Sequence, residues 1–451
     1  MTYLEAVALI KKIEQKHDMM LVKYKGVSVW PLLRINIIDA ISGNNKTMKS
    51  TGVSAVKQVL STLFYYNPLN YFCRHKVWLF AAYERRKIID GKRILRVSGC
   101  VTEAEPDTLV IEKPSPDQCS HPRSEVPEKT VVSESWLLLM VHALAILSRP
   151  FSIKLENERL LRDVLEQYGI RFDYVSAIKI LASQKKVFDV VLALLPKPKK
   201  VMIECPYSIM GYVWSLHNHN IPVIELQHGV LNDKHYAYNS LYKSDELYPN
   251  TLCVFGDEEY NYMMGDDSCY CSDVRKTGLY FMEMARKSFT KDPFAVFREQ
   301  YKHIILVAGQ RGYEDPMADY VRGAAKTTPD CLYVYVPRNV NAGLQFTEKN
   351  IVYRPGINIY EYMIWCDVHL TISSTTCLEC QYYKKPTIFY NYSDMSMNYY
   401  SKVLKPENGV VYTDSADEYE NALETVLTQV FTYKEVFAMD TVEKIKKVIM
   451  K

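Results

Sequence analysis

The sequence has too little glycine and proline for a fibrous or low-complexity protein. Its 451 residues include 17 Gly and 20 Pro, whereas collagen-like and disordered chains are rich in both. Long apolar runs are also missing. The most apolar stretch, Trp136 to Leu147, has twelve residues, and a membrane-spanning helix needs about twenty. We therefore expect a globular protein of two or three domains, at about 100–200 residues per domain.

Paired cysteines and a secretion signal are equally lacking. The 11 Cys are odd in number and scattered singly, whereas secreted disulfide scaffolds are short and evenly paired. The N-terminal stretch turns charged after ten residues and has no small-residue cleavage site. We expect reduced thiols and a cytoplasmic location.

Several familiar chemical motifs are absent. There is no G-x-G-x-x-G after a strand, no P-loop and no G-x-S-x-G elbow. The Cys-x-Cys at 269–271 and the Cys-x-x-Cys at 377–380 lack a partner pair at zinc-ribbon spacing. Asp266-Asp267 also lacks D-x-D spacing. We predict no cofactor and no obligatory metal.

Positive charge is concentrated at the start of the chain. Residues 1–100 contain 17 Lys and Arg against 6 Asp and Glu, a balance of +11, while the remainder carries −8. Aromatic residues interleave with the basic ones from Leu63 to Lys87. This pattern suits contact with the inner face of an anionic membrane, and a solvated face with a core helix explains it as well. We expect no nucleic-acid partner.

Short β-branched runs alternate with amphipathic stretches from about Phe172, as parallel sheets with crossover helices require. The clearest unit predicts a strand at Val201–Glu204, a helix at Tyr207–His219 and a strand at Pro222–Leu226. Residues 100–130 contain dense loop signals and predict a surface excursion, and Tyr419–Lys451 predicts a helical tail. Further strands are predicted at Thr251–Phe255, Val274–Gly278, Ile304–Gly309, Leu332–Val336, Ile351–Tyr353, Val368–Ile372 and Thr387–Tyr390.

These elements predict an α/β fold of two Rossmann-like, doubly wound domains that face each other across a cleft. Residues 1–100 form a basic, helical N-terminal region, part of the acceptor-side domain. Residues 101–290 form the first Rossmann-like domain, and residues 291–451 form the second, with the helical tail. Ligands of such sheets bind at the carboxyl ends of the strands.

A polar tripeptide, Gln227-His228-Gly229, closes the second strand of the β-α-β unit. Glycine permits a tight turn or the close approach of a ligand, and an imidazole there acts as a base or donates to a phosphate. A loop histidine that only bonds its surroundings is an equally good interpretation. We select His228 as the catalytic candidate, with Glu204 and Glu225 as alternative bases. Glu225 can instead face inward as a structural group.

Four hydroxyl residues in a row, Ser373-Ser374-Thr375-Thr376, follow a predicted strand and open a helix. Hydroxyls and free backbone N–H groups at such a position bind phosphate, and Glu379 could bind a ribose diol. Ordinary helix capping accounts for part of this pattern.

Two arginine motifs end the first two strands of the second domain. Gln310-Arg311 follows the first strand and Arg338 the second, and either arginine could bind a diphosphate or a carboxylate with two hydrogen bonds. Surface arginines are common, so each motif alone is weak. With the hydroxyl run they predict a nucleotide site, to which we also assign Gln227 and Gly229.

Two stretches have a recognisable form. Ile221–Tyr238 reads IPVIELQHGVLNDKHYAY, before a strand that ends in Phe255-Gly256, and Ser373–Asn391 reads SSTTCLECQYYKKPTIFYN. Together they resemble bacterial surface-polysaccharide glycosyltransferases of the GT-B fold, which make capsule and lipopolysaccharide, with CDP-glycerol glycerophosphotransferases as distant relatives. The resemblance covers roughly residues 200–400.

Carried over by position, this resemblance implies that His228 is catalytic or contacts the donor phosphate. Ser373–Thr375 and Glu379 would bind the nucleotide, and Arg338 would be the basic residue of a K/R-P-H-P-like element. The chain departs from that element, since Asn339 follows and the second histidine of the glycerophosphotransferase pattern is missing. His235 lies in the same loop as His228, as a second imidazole or a surface histidine.

The resemblance implies a metal-independent, inverting glycosyltransferase in surface-polysaccharide synthesis. Its partners would be a nucleotide sugar and a glycan or lipid-linked glycan acceptor. Two alternatives stay open: a sugar-nucleotide epimerase of the same fold, and a non-catalytic subunit that binds nucleotide sugar or glycan.

Overall fold

The computed structural model describes residues 1–42, 59–82, 86–113, 123–229, 231–266 and 268–451. Asp267 and the loop signals at 114–122 lie outside the described residues. Contacts divide the chain into two compact units. The first comprises residues 1–87, 91–280 and 439–451, and the second comprises residues 88–90 and 281–438.

The first unit is built on a seven-stranded parallel sheet in the order β11-β10-β9-β8-β3-β6-β7. Its strands are β3 (Val77–Ala82), β6 (Thr108–Lys113), β7 (Val131–Ser133), β8 (Lys200–Ile203), β9 (Val223–Leu226), β10 (Thr251–Val254) and β11 (Asp273–Lys276). The chain winds from β3 to β7 in one direction and from β8 to β11 in the other. This is a doubly wound sheet with its topological switch point between β3 and β8.

Helices and two small hairpins surround this sheet. The hairpins are β1 (Lys23–Tyr24) with β2 (Val27–Ser28), and β4 (Arg86–Ile89) with β5 (Lys92–Leu95). The helices are α1 (Tyr3–Lys16), α2 (Trp30–Ser42), α3 (Gly99–Ala104), α4 (Ser135–Leu147), α5 (Glu158–Gln167), α6 (Tyr174–Leu194), α7 (Met210–Asn218) and α8 (Asp257–Met264). The next helix, α9 (Tyr280–Ser288), belongs to the second unit from Phe281 onward.

The second unit contains a six-stranded parallel sheet in the order β14-β13-β12-β15-β16-β17. Its strands are β12 (His303–Ala308), β13 (Cys331–Val336), β14 (Ile351–Tyr353), β15 (Val368–Thr371), β16 (Thr387–Tyr390) and β17 (Val410–Thr413). Its helices are α10 (Glu314–Thr327), α11 (Ile359–Trp365), α12 (Thr376–Tyr382), α13 (Met395–Tyr400) and α14 (Tyr419–Thr428). Here the switch point lies between β12 and β15.

Both sheets follow from continuous apolar runs. β3 reads VWLFAA and β12 reads HIILVA, and five residues of each are buried. Helices on both faces of a parallel sheet remove both sets of side chains from water, which is why such strands do not alternate polar with apolar. This architecture confirms the predicted fold class of two Rossmann-like domains with a helical N-terminal region.

The predicted strands from Val201 onward are confirmed to within one or two residues, and three interpretations are wrong. The basic aromatic stretch at residues 63–87 is not one continuous surface: Phe64 and Phe72 are exposed, whereas the strand β3 that follows is buried inside the first sheet. The predicted surface excursion at 100–130 contains α3 and β6, the latter beside β3. Residues 439–451 belong to the first unit through the last helix, α15 (Thr441–Met450), and not to the second.

Candidate active site

His228 lies at the carboxyl edge of the first sheet, directly after β9. Its ring is half-buried, and the Tyr207 hydroxyl lies 3.1 Å from its Nε2 atom. The Tyr238 hydroxyl lies 3.3 Å from its Nδ1 atom. Polar groups therefore contact both nitrogens of His228, which fits a loop histidine that bonds its surroundings as well as an oriented base, and its catalytic role stays a prediction.

The Tyr238 hydroxyl connects His228 to Glu225. It donates to Glu225 Oε1 at 2.5 Å, because a carboxylate can only accept. With its hydrogen engaged there, the Tyr238 oxygen accepts from Nδ1–H of the imidazole. The network thus assigns the tautomer in which Nε2 is the acceptor nitrogen. Nε2 then accepts from the Tyr207 hydroxyl, and an acceptor hydroxyl that replaced Tyr207 there could lose its proton to this nitrogen.

Glu225 is fully buried and accepts hydrogen bonds from two tyrosine hydroxyls. A second hydroxyl, that of Tyr270, donates to its Oε2 atom at 2.6 Å. Burial, followed by the charge of Glu225, raises the pKa of Tyr238 and of Tyr270 well above the usual range, so both stay neutral donors. Glu225 is thus placed to act through Tyr238, and not as a base in contact with substrate.

The loop that carries Tyr238 is held by the N-terminal helices. Arg34, on α2, is buried and forms an ion pair with Glu14 of α1 at 2.7 Å. The same guanidinium donates to the carbonyl of Tyr236 and, at 2.9 Å, to Oδ1 of Asn239. The basic N-terminal region therefore shapes the site through buried contacts.

His235 lies beside His228, with ring centroids 6.3 Å apart. Its ring stacks on Tyr236 and packs at 4.7 Å against Tyr238. Burial lowers the pKa of His235 to about 4, so it is neutral at physiological pH. We assign His235 to the packing of the loop.

Glu204 lies at the topological switch point of the first sheet. Its Oε2 atom accepts from the backbone N–H of Ala82 at 3.1 Å, and its Oε1 atom accepts from the Ser98 hydroxyl at 2.5 Å. The residue is 1% exposed. These bonds join the carboxyl ends of β8 and β3, so the observed role of Glu204 is to tie the two strands together.

Gln227 is also used inside the sheet. Its amide donates to the carbonyl of Gly229 and accepts from the N–H of Phe255, both at 2.7 Å. Gly229 does not adopt a positive φ, and an added Cβ would meet nothing within 4 Å. The chain itself therefore imposes no need for glycine at position 229.

At the switch point of the second sheet, Gln310 and Ser373 join two strand ends, as Glu204 does in the first sheet. The side-chain oxygen of Gln310 accepts from the backbone N–H of Ser373 at 3.0 Å and from its hydroxyl at 2.8 Å. Gln310 follows β12 and Ser373 follows β15. The two predicted residues are brought together, at the edge where doubly wound sheets bind ligands.

The rest of the hydroxyl run is divided between internal bonds and solvent. Ser374 accepts from the N–H of Thr376, and the Thr376 hydroxyl lies 3.0 Å from Nε2 of His369. Among the described residues, Thr375 has no side-chain hydrogen bond, and it is exposed. Capping accounts for Ser374, and phosphate binding by Thr375 stays a prediction.

The two predicted arginines are more exposed than most of these hydroxyl residues. Arg311 and Arg338 are exposed, after β12 and β13 respectively. The backbone approaches closely here, since a Cβ on Gly309 would lie 3.1 Å from the carbonyl oxygen of Val336. Both exposed arginines therefore follow neighbouring strands at the carboxyl edge of the second sheet, and anion binding by them stays a prediction.

Glu379 is 4% exposed, one turn into α12, and accepts from the Tyr360 hydroxyl at 3.0 Å. A carboxylate in this position stabilises the packing of α11 against α12. Ribose binding by Glu379 stays a prediction.

Sequence reasoning missed the tyrosines that orient the candidate base. Tyr207 and Tyr238 form hydrogen bonds with His228, and Tyr270 donates to Glu225. The available signal was compositional, since the chain contains 35 Tyr. A tyrosine suits such a site because it combines an apolar ring with a donor hydroxyl.

A search of the described residues finds no group of three or more His, Cys, Asp or Glu side chains placed to hold a metal ion. Metal independence stays a prediction. In the same part of the chain, no helix is long and apolar enough to cross a membrane.

The fold resembles that of nucleotide-sugar enzymes. The UDP-GlcNAc 2-epimerase from Methanocaldococcus jannaschii superposes with a TM-score of 0.51 and 11% sequence identity over 83% of this chain and 99% of that chain. The UDP-GlcNAc 2-epimerase from Neisseria meningitidis gives a TM-score of 0.45 and 12% identity over 83% of this chain and 100% of that chain. The glycotransferase of kitacinnamycin gives a TM-score of 0.48 and 11% identity over 83% of this chain and 94% of that chain. No protein-family model and no curated protein sequence matches the chain.

Proposed function

We propose that this protein is a metal-independent, inverting glycosyltransferase that moves a sugar from a nucleotide-activated donor to a glycan or lipid-linked glycan. The second domain binds the donor, and His228 of the first domain removes the proton of the acceptor hydroxyl. The observation that carries the proposal is the Glu225–Tyr238–His228 chain at a carboxyl sheet edge.

The physical reason is the orientation of the imidazole. A general base contributes most when its acceptor nitrogen is fixed and its developing positive charge is stabilised. The Tyr238 oxygen accepts from Nδ1 and is itself polarised by the buried Glu225 carboxylate. As Nε2 takes a proton, this chain therefore stabilises the imidazolium. In the alternative role of His228, as a donor to the phosphate, the same imidazolium would stabilise the leaving phosphate.

Exposed groups at the edge of the second sheet support the donor assignment. Arg311, Arg338 and Thr375 project from the ends of three adjacent strands, β12, β13 and β15. Guanidinium groups bind diphosphates through paired, charge-assisted hydrogen bonds. The half-buried Ser373, which is fixed by Gln310, follows β15 two residues before Thr375.

A thermal-shift series tests donor binding. We expect one of CMP, CDP, UDP, GDP or ADP to raise the melting temperature, because a ligand that binds only the folded state stabilises it. The shift should be unchanged by EDTA and reduced in Arg338→Gln. Lys326→Gln, an exposed substitution on α10 of the same domain, is the matched control. No shift with any nucleotide would overturn the donor assignment.

A sugar-nucleotide epimerase is the second candidate, favoured by the fold likeness to a UDP-GlcNAc 2-epimerase. The two reactions leave different products. Inverting carbon 2 requires its hydrogen to leave and return, so in D2O an epimerase places deuterium on the sugar. A transferase leaves every C–H bond intact and forms product only with acceptor. Deuterium in a sugar nucleotide incubated without acceptor would refute the transferase proposal.

Turnover of His228→Asn separates either enzyme from a binding subunit. We expect turnover to fall by about 100-fold or more, as loss of a general base implies, with nucleotide binding unchanged. If the wild-type protein binds a nucleotide sugar but turns over none with any acceptor, the non-catalytic subunit is the better description.

We also propose that the acceptor is met at a membrane surface. Phe64 and Phe72 are 73% and 66% exposed, and Leu147, at the end of the apolar helix α4, is 69% exposed. The Phe64 ring contacts Trp136 of α4 at 5.4 Å, so the two segments form one apolar surface. Vesicle flotation tests this: binding to phosphatidylglycerol vesicles should be lost in Phe64→Ser with Leu147→Ser. Equal flotation of this variant would refute it.

A further inference from the structure

The first unit contains a cavity of about 460 Å³ that lies away from the candidate base. Its walls are the strands β8 to β11 and the last helix, α15. Register pairs Ile224 with Thr251 and Glu225 with Leu252. Since neighbouring residues of a strand point to opposite faces, Ile224, which lines the cavity, and Glu225 lie on opposite faces of the sheet. The sheet therefore separates this cavity from the Glu225–Tyr238–His228 chain.

The cavity is strongly positive. The charged side chains that line it are six cations and one carboxylate: Lys200, Arg275, Lys276, Lys444, Lys447, Lys451 and Asp273. Two of the cations are neutralised, Arg275 by Asp273 at 2.6 Å and Lys276 by Asp257 at 2.7 Å. For the other four lysines, no carboxylate of the described residues lies within ion-pair distance.

Helix electrostatics explains only part of this charge. Cations near a helix C-terminus are stabilised by the helix dipole, which accounts for Lys447 and Lys451. It also accounts for Lys200 of β8, whose ammonium group donates to the carbonyl of Val448 in the last turn of this helix at 3.1 Å. It does not account for Lys444, which lies in the first turn, at the positive end of the helix dipole. Positive charge at Lys444, beside three other lysines with no carboxylate of the described residues within ion-pair distance, favours a bound anion.

Size and lining indicate a small molecule. Cavities of about 300–1,000 Å³ hold small ligands, and Pro222, Ile224 and Val448 supply an apolar floor. Lysines bind phosphate as point charges, and several around one cavity match a ligand with more than one negative charge.

We propose that this cavity is a second ligand site that binds a diphosphate or another multiply charged phosphate ester. The site is formed by Lys200, Lys444 and Lys447, with Lys451 at its rim. It is distinct from the donor site proposed in the second domain.

Lysine labelling of the full-length protein tests the proposal at the site itself. With pyrophosphate as the probe, at constant ionic strength, we expect slower modification of Lys200, Lys444 and Lys447 by an amine-reactive reagent. Lys446 is the internal control, because it is exposed on the same helix and does not line the cavity. Equal labelling with and without pyrophosphate, or equal protection of Lys446, would overturn the proposal.

Affinity measurements give an independent readout. Lys444→Gln with Lys447→Gln should weaken pyrophosphate binding at this site by about tenfold per lysine, as the loss of a hydrogen bond to a charged group implies. Lys446→Gln should leave the affinity unchanged, and the double variant should keep the nucleotide response of the second domain. Protection by phosphatidylglycerol vesicles and not by pyrophosphate would overturn the proposal in favour of a lipid-facing surface.

Discussion

The buried ion pair between Arg34 and Glu14 provides a prediction that needs no knowledge of the substrate. Arg34 makes three contacts in the interior: to Glu14, to the carbonyl of Tyr236 and to Asn239. Both charged side chains are almost completely removed from water, at 1% and 0% exposure. Arg34→Met keeps the aliphatic part of the side chain and removes all three donors.

Removing one partner of a buried ion pair typically lowers the free energy of unfolding by about 3–5 kcal/mol, because the other charge is left uncompensated. After Arg34→Met, Glu14 retains the indole N–H of Trp30 as a donor, at 2.9 Å. Tyr236 and Asn239 lose a donor as well. We therefore expect a loss near the upper end of this range.

The double variant Glu14→Met with Arg34→Met separates charge from packing. Without a buried carboxylate, the uncompensated charge disappears. We expect the double variant to be more stable than Arg34→Met alone by at least about 2 kcal/mol, as coupling within a buried pair implies. Lys12→Met, an exposed change on α1, is the matched control and should stay within about 0.5 kcal/mol of wild type.

Guanidinium denaturation followed by tryptophan fluorescence measures these differences. Two compact units can unfold in separate transitions, so the denaturation curve should be fitted with two transitions. Only the midpoint of the first unit's transition should shift in the variants. Faster amide exchange in residues 231–240 should accompany the loss of stability, because this loop accepts two of the removed hydrogen bonds. A cost of Arg34→Met below about 1 kcal/mol, or a double variant no more stable than the single one, would refute the reasoning.

Three further predictions concern other parts of the fold. Burial lowers the pKa of His369 to about 3, below the value of about 6.5 in an unfolded chain, so the unfolded state binds the proton first as pH falls. Its contribution to the free energy of unfolding should drop by about 2 kcal/mol as the pH falls from about 8 to about 5. In chemical denaturation, the free energy of unfolding of His369→Gln should therefore fall by about 2 kcal/mol less than that of the wild type over this pH range. Gly211→Ala should cost about 1–3 kcal/mol, because its Cβ would lie 2.4 Å from the carbonyl oxygen of Leu181; Gly229→Ala is the control, and equal stability of the two variants would contradict the packing argument. Tyr238→Phe should lower turnover by about tenfold or more without changing nucleotide affinity, and a loss of affinity alone would count against an orienting role.

Much of the fold followed from local patterns. The strands β8 to β10 and β12 to β16 are short apolar runs bounded by polar or turn residues, and a parallel sheet buries such runs on both faces. β3 was missed because its basic neighbours suggested a surface. β17, with two half-buried residues in VVYT, was missed because its signal was weak.

The candidate site was only partly predictable. His228, Gln310 and Ser373 follow buried strands, so their place at a carboxyl sheet edge could be inferred. Gln227 and Glu204 have the same sequence signal, and Glu379 was predicted from its place one turn into a helix, but the structure uses all three in internal hydrogen bonds. A strand end identifies which residues reach the edge, and not which of their polar atoms are already paired.

Local periodicity is enough to predict the class of fold and the strand ends at which polar residues gather. Which of those groups act together depends on tertiary packing. Tyr238 and Tyr270 come to Glu225 from residues 13 and 45 positions away, and α15 returns to the first unit to close a cationic cavity. Such contacts depend on how distant segments pack, and no local pattern encodes the distance between their atoms.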